Sequence, residues 1–323
     1  MAGELTKGEY LPAHAQARAA LAGVLRDRAG ATEAAVAALE ADAALAAAAL
    51  RRAGKRQAGR NGDVSSARRA VEVLGAAGLD ALARDVPVFD PLEHREDRAA
   101  LDAFRLHACA TARAARYLAP VTGWGEPGEL IAASLLHDVG KLDLPRAPDD
   151  LTGTPEERIE SERERLGLDH ATAGGALARR WGLSPRLVEA IEHHHDPDVD
   201  GLGAIVRLAD MLVHYAQGHL VDIDRLAALS SRVSLSRAAL ASVMYELPSA
   251  LATTRGHSGP CPLSGREHQI LGRLSQGKVY NQIALELGIA PSTVRVHLHR
   301  VYRKLGAVDR AQAVLTATAK GWI

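Results

Sequence analysis

Along most of the chain, Leu, Val, Ile and Ala recur every three or four residues between charged positions, the period of helices with one buried face rather than the alternation of half-buried strands. This pattern predicts helices over 15–27 and 31–52, a glycine-rich basic loop at 54–62, helical stretches at 65–74 and 78–84, and an extended connector at 86–91. The alanine runs carry enough Leu, Val and Ile to keep a buried stripe, and no tandem repeat is visible. At 248–262, PSALATTRGHSGPCP, the period gives way to Pro, Gly, Ser and Thr, the composition of a flexible linker. Beyond it, 263–274 is apolar-periodic, with Ser264 and Glu267 at the spacing of a capping box. A helix over 279–287, a tight turn at Gly288 and a helix over 291–305 with Pro291 in its first turn have helix-turn-helix spacing. A final helix over 310–319 is expected to bury Ala311, Val314 and Leu315. The expected fold is all-α, with a domain at 15–247, a linker at 248–262 and a small domain at 263–323.

Composition sharpens this picture. Hydrophobic residues make up 47% of the 323 positions but aromatic ones only 3%, so the core must be filled by small aliphatic side chains, which suits close-packed helices. Lys plus Arg and Asp plus Glu each number 39, a neutral total that by itself excludes a uniformly basic nucleic-acid binder. The total is a cancellation: residues 263–323 hold nine basic and three acidic side chains, leaving 30 and 36 in the rest. A small basic unit attached to a larger acidic one has the footprint of a nucleic-acid reader carried by a regulatory or catalytic domain. Cys109 and Cys261 form neither a disulfide framework nor a metal knuckle, and the first residues are too polar for a secretory signal. The longest apolar run, 43–50, is far shorter than the ~20 residues that span a bilayer. A cytoplasmic protein without a membrane span is expected.

Candidate chemistry lies between residues 99 and 218: His107, His137 beside Asp138, His170, the triplet His193, His194 and His195, and Asp210. Several sit in apolar contexts such as SLLHDVGKL and AIVRLADML, where a buried charge needs a partner or a metal. Imidazole and carboxylate groups suit Zn, Fe, Mn or, with more oxygen donors, Mg. His193 lies about 100° from its neighbours on a helix and is left out of the ligand set. Trp124 and Trp181 are read as packing residues at helix ends.

His107, His137, Asp138 and Asp210 resemble the H…HD…D pattern of the HD phosphohydrolase superfamily, with LLHDVGKL as its central signature. The stretch LGLDHATAGGALARRWGLSPRLVEAIEHHHDP is similar to the HDOD branch and its cyclic-dinucleotide-hydrolysing relatives, and 42–82 resembles the first half of an HDOD domain. The resemblance implies one divalent metal at His107, His137, Asp138 and Asp210, and a second at His170, His194 and His195 with Asp138 as a bridge. Asp138 and Lys141 are the candidate catalytic residues: Lys141, one helical turn beyond His137, is placed to contact a phosphate oxygen or fix Asp138, the alternative being a surface lysine at a helix end. The GYP segment of cyclic-di-GMP phosphodiesterases is absent after the paired histidines, and Ala103 stands where some relatives carry a glutamate. Both departures count against cyclic-di-GMP hydrolysis.

The tail LSGREHQIL…NQIALELGIAPSTVRVHLHRVYRKLGAVDRAQAV resembles the four-helix DNA-binding domain of LuxR-type regulators over nearly its whole length. Ala290 departs from the serine or threonine usual at the cap of the recognition helix. The resemblance implies that 291–305 enters the major groove of double-stranded DNA, with Ser292, Arg295 and Val296 near base edges and Thr293, Arg300 and Lys304 nearer phosphates. The expectation is a homodimeric DNA-binding regulator with a metal-binding signalling domain that takes a nucleotide or phosphoester ligand. Its rival is a metal-dependent phosphohydrolase or nucleotide phosphodiesterase governed by a DNA-binding domain.

Overall fold

The computed structural model describes residues 11–25, 31–57, 63–88, 98–144, 155–217, 219, 221–252, 263–275 and 278–305, together with 310, 313, 314 and 317. Among these the chain is helical, and the sole extended pairing is a parallel bridge of Ala13 with Val88, inside the expected connector. It divides into two compact units, Met1–Leu247 and Pro248–Ile323. No helix among the described residues is long and apolar enough to cross a membrane.

The larger unit begins with α1 (Ala15–Val24), α2 (Ala31–Glu40), α3 (Ala43–Gln57) and α4 (Ala67–Asp85). The single helix expected over 31–52 is broken at Asp42, whose buried carboxylate caps α3 by accepting from the Ala44 and Leu45 amides at 2.9 and 3.1 Å. The same carboxylate accepts the His14 amide at 2.9 Å, so a tertiary contact fixes the break. α3 then runs to Gln57, into the stretch expected to be a loop; residues 58–62 lie outside the described ones. Nine of its residues are buried, seven of them alanine, and such small side chains let its neighbours approach on all sides. α4 joins the two stretches expected at 65–74 and 78–84 through a kink at Gly75.

Next come α5 (Arg98–Thr122), α6 (Pro127–Leu136), a short 3-10 helix (Val139–Leu142), α7 (Pro155–Leu166), α8 (His170–Arg180), α9 (Pro185–His193) and α10 (Gly201–Ala216). α6 is buried from Glu129 through Leu136, and it packs on α5 and α10. α8 packs on α9 and on the 3-10 helix. α11 (Ile223–Arg232) and α12 (Arg237–Ala252) follow; α12 carries the helix five residues into the predicted linker, and 253–262 lie outside the described residues.

The smaller unit contains α13 (Gly265–Ser275), α14 (Tyr280–Leu287) and α15 (Pro291–Leu305). The predicted capping box is present: Glu267 N donates to Ser264 Oγ at 3.3 Å and Ser264 N to Glu267 Oε2 at 2.7 Å. Gly288 closes α14 with φ 62°, a left-handed conformation that costs a glycine little. Ile270, Leu271, Leu274, Ile283, Val294, Leu298 and Val301 form the core. In the final segment Ala313 and Ala317 are fully buried and Val314 is partly buried against the same core; Ala311 and Leu315 lie outside the described residues.

Candidate functional site

Three helical junctions and two mid-helix positions of the larger unit converge on one cluster. Packing of α5 on α10 brings His107 opposite Asp210, with Nε2 2.9 Å from Oδ1. His137 ends α6 and Asp138 precedes the 3-10 helix, so the HD pair occupies a turn between two elements. His170 opens α8, whose cap Asp169 accepts the Thr172 amide at 2.8 Å. His194 and His195 leave the end of α9. The turn after Asp138 lies directly on α8: a Cβ on Gly140 would fall 2.0 Å from the His170 carbonyl oxygen and 2.5 Å from the Gly174 amide nitrogen. Only glycine permits that approach.

Three of the imidazoles, those of His137, His170 and His194, share one orientation. His137 Nδ1 donates to the Ser134 carbonyl at 2.9 Å and His194 Nδ1 to the Ile191 carbonyl at 2.8 Å. A carbonyl can only accept, so each ring carries its proton on Nδ1 and turns the Nε2 lone pair inward. His170 Nδ1 lies 2.7 Å from Glu162 Oε2, which also accepts the His170 amide. This outward anchoring is the usual support of metal-binding histidines. Inside the cluster, His137 Nε2 and His194 Nε2 are buried without a hydrogen-bond partner. Asp210 Oδ1 likewise has no hydrogen bond of good geometry despite its closeness to His107. Lone pairs aimed at one another in a buried space are costly unless a cation lies between them, so the donor set fits metal ions.

Three sets of donor atoms are close enough to hold an ion: Asp138 with His170, His194 and His195; His107 with His137 and Asp138; and His107 with Asp210 and His214. All seven ligand residues expected from the sequence are therefore brought together, with Asp138 common to two sets. Its Oδ1 lies 3.1 Å from His170 Nε2 and 3.6 Å from His137 Nε2. Lys141 Nζ contacts Asp138 Oδ2 at 2.5 Å from the 3-10 helix. His193 is exposed and pairs with Asp196 at 2.8 Å.

Sequence reasoning missed His214, one turn after Asp210 on α10, which helical spacing alone could have flagged. It also missed Glu162, hidden in the charged run EERIESERERL, and Arg207, buried and donating to the His195 and Asp196 carbonyls at 3.1 and 2.7 Å.

Electrostatics set the protonation of the cluster. Burial would raise Asp138 and Asp210, but the surrounding histidines, and for Asp138 Lys141 as well, outweigh it and hold both well below the usual carboxylate range. Burial lowers His194 to about 3, with His137 and His170 adding to the effect, and it lowers His107 and His195 as well. For His137 and His170, burial acts downward but neighbouring carboxylates prevail, and both are raised.

In the smaller unit, α15 buries Val294, Leu298 and Val301 and turns Ser292, Arg295, Val296, His299, Arg300 and Arg303 to solvent. Val296 is half exposed, a free apolar side chain between basic ones. Thr293 is partly buried. Lys304, expected near phosphate, is paired at 2.6 Å with the buried Glu267, whose carboxyl it helps hold low against the effect of burial. It thus ties α15 to α13.

The HDOD domain family model matches residues 11–197, more than half of the chain, and that of bacterial regulatory proteins of the luxR family matches residues 261–317. Over 55 residues the chain is 51% identical to the probable transcriptional regulatory protein NarL of Mycobacterium tuberculosis, covering 17% of this chain and 26% of that protein. Over 56 residues it is 41% identical to the HTH-type transcriptional regulator MalT of Vibrio campbellii, covering 17% and 6%. The chain thus spans about a quarter or less of the length of these curated relatives. Among solved structures, the MmoQ response regulator of Methylococcus capsulatus superposes with a TM-score of 0.56 at 23% identity, over 73% of this chain and 98% of that one. A virulence factor (cj0248) of Campylobacter jejuni gives 0.55 at 14% identity, over 78% and 98%. Both likenesses establish the fold. By the extent of the first match the chain belongs to the HDOD family, and it carries a C-terminal luxR-type helix-turn-helix domain.

Proposed function

We propose that the protein is a transcriptional regulator in which the metal centre of the HDOD unit receives the signal and the luxR-type unit reads DNA. What carries this reading is the presence in one chain of a convergent His/Asp donor cluster and a helix whose solvent face combines Arg295, Arg300 and Arg303 with Ser292 and Val296. Arg295 is assigned to guanine recognition, because a guanidinium fits the O6/N7 edge with two hydrogen bonds, and Ser292 and Val296 flank it. Thr293 and Arg300 lie to one side of that face and suit backbone phosphates. One reader of this size has a small footprint, so specific binding is assigned to a homodimer on two half-sites. Selection of bound genomic fragments by the full chain should yield a defined motif, and Arg295→Ala should weaken it by about 1–3 kcal/mol at one base position. The same selection with metal-loaded and metal-stripped protein should give different affinities. Indiscriminate binding, or identical binding in both metal states, counts against the proposal.

A second reading, metal-dependent phosphoester hydrolysis, is favoured by the place of Asp138 in two ligand sets with Lys141 beside it. Divalent ions, of which the donor chemistry suits Zn, Fe, Mn or Mg, would supply Lewis acidity and an ionised water at neutral pH when bound. Asp138 would hold them, and Lys141, partly exposed where Asp138 is buried, would be the group that meets an incoming phosphate of a nucleotide. Turnover should be measured on cyclic dinucleotides, nucleoside phosphates and a generic phosphodiester. Hydrolysis that Asp138→Ala abolishes supports this reading, whereas none at full metal occupancy leaves the regulator alone.

A further inference from the structure

We infer that His214 is a further ligand of the metal centre, on the side of His107 and Asp210, and that it biases this side toward ions that prefer nitrogen, such as Zn²⁺ or Co²⁺, over Mg²⁺. The inference rests on the metal-centre reading above. His214 is buried on the same stripe of α10 as Asp210, with Nε2 3.3 Å from Asp210 Oδ1 and its ring 4.9 Å from that of His107. The donor atoms of His107, Asp210 and His214 lie within 4.8 Å of one another.

An ordinary His–Asp hydrogen bond would account for one imidazole on Asp210, but not for this arrangement. Three Nε2 atoms converge on the same oxygen, from His107 at 2.9 Å, His214 at 3.3 Å and His137 at 3.7 Å, and Oδ1 forms no hydrogen bond of good geometry with any of them. Convergence without hydrogen bonding is how donors lie around a cation. Ligation through Nε2 also requires the proton of His214 on Nδ1, where an acceptor must meet it. His219 Nδ1 is 2.8 Å from that atom and is placed to accept it. His107 Nε2 has one lone pair and so serves one ion. The two donor sets that share His107 therefore describe alternative or joint ligands of a single ion, with His214 raising its nitrogen donors to three beside the carboxylates of Asp138 and Asp210. Imidazole-rich sites favour Zn²⁺ and Co²⁺, and oxygen-rich ones Mg²⁺.

The test is titration of the metal-free full chain with Co²⁺, followed by visible absorption and metal content, and then competition with Mg²⁺. His214→Ala should lower the affinity of one ion by about 100-fold and change its absorption band, while the ion at His170, His194 and His195 is unaffected and reports an intact fold. His214→Gln, which keeps the packing volume, should show the same band change. His219→Ala should keep the band and weaken binding by about 10-fold, as loss of an orienting partner does. Wild-type affinity and spectrum in both His214 variants would overturn the inference while leaving the metal-centre reading standing. Loss of every ion in both variants would also overturn it, because His214 would then be holding the fold. A wild-type chain that binds neither Co²⁺ nor Zn²⁺ would remove the inference and the metal-centre reading together.

Discussion

Gly140 is the residue on which the His/Asp donor cluster turns. A methyl group there would meet main-chain atoms of α8, which cannot rotate aside, so Gly140→Ala must push the HD turn away from His170. The expected outcome is a loss of about 1–3 kcal/mol in a denaturant titration, together with reduced metal content. Protonation gives a second expectation at this scale. In the metal-free protein His194 has a pKa of about 3, below its ordinary value, so the unfolded chain binds a proton there that the folded chain does not. The stability this provides is complete above about pH 6.5 and is lost as pH falls toward 3; the depressed Asp138 and Asp210 lose theirs in acid too. His137 and His170 are raised, so their contribution holds below about pH 6.5 and is lost as pH rises through their folded values. Melting temperature of the metal-free chain should therefore fall on both sides of neutrality. Metal loading should remove the alkaline fall, because the ion replaces those two protons, and binding should release protons detectable in buffers of different ionisation enthalpy. The seven clustered residues were legible in the sequence because histidine and aspartate in apolar runs are costly without a purpose. His214 was not, since a lone histidine near a helix end is unremarkable until the fold sets it against His107.

At the level of elements, Asp42 shows how a tertiary contact overrides a periodic pattern. Residues 31–52 read as one helix because alanine and leucine continue through the break. The structure instead bends the chain there, and one carboxylate serves the α3 amides and the His14 amide together. Asp42→Ala strands three buried or half-buried donors and should cost about 1–3 kcal/mol, read as a shift in the urea midpoint. Asp42→Asn, which keeps an acceptor oxygen, should recover part of the loss. In the smaller unit α13, α14 and α15 follow their predicted bounds to within two residues, because a capping box, Gly288 and Pro291 mark the ends locally. The pairing of Lys304 with Glu267 was hidden, since the two are far apart in sequence and only folding shows that the lysine is engaged.

For the whole molecule, the decisive number is the unequal division of charge rather than its zero sum. Binding to DNA should weaken linearly with the logarithm of salt concentration, and Arg300→Ala should reduce the slope by about 1 while leaving the selected motif unchanged. The division between an acidic helical unit and a basic reader was readable from composition and turn residues alone. The continuation of α12 to Ala252 was not, because proline and serine there give no helical signal. The meeting of Gly140 with Gly174 has a consequence for the evolution of such a protein. Since main chain touches main chain between the HD turn and α8, the spacing of these two donor-bearing elements is gauged by the backbone, and exchanging one side chain of the cluster for another leaves that spacing unchanged.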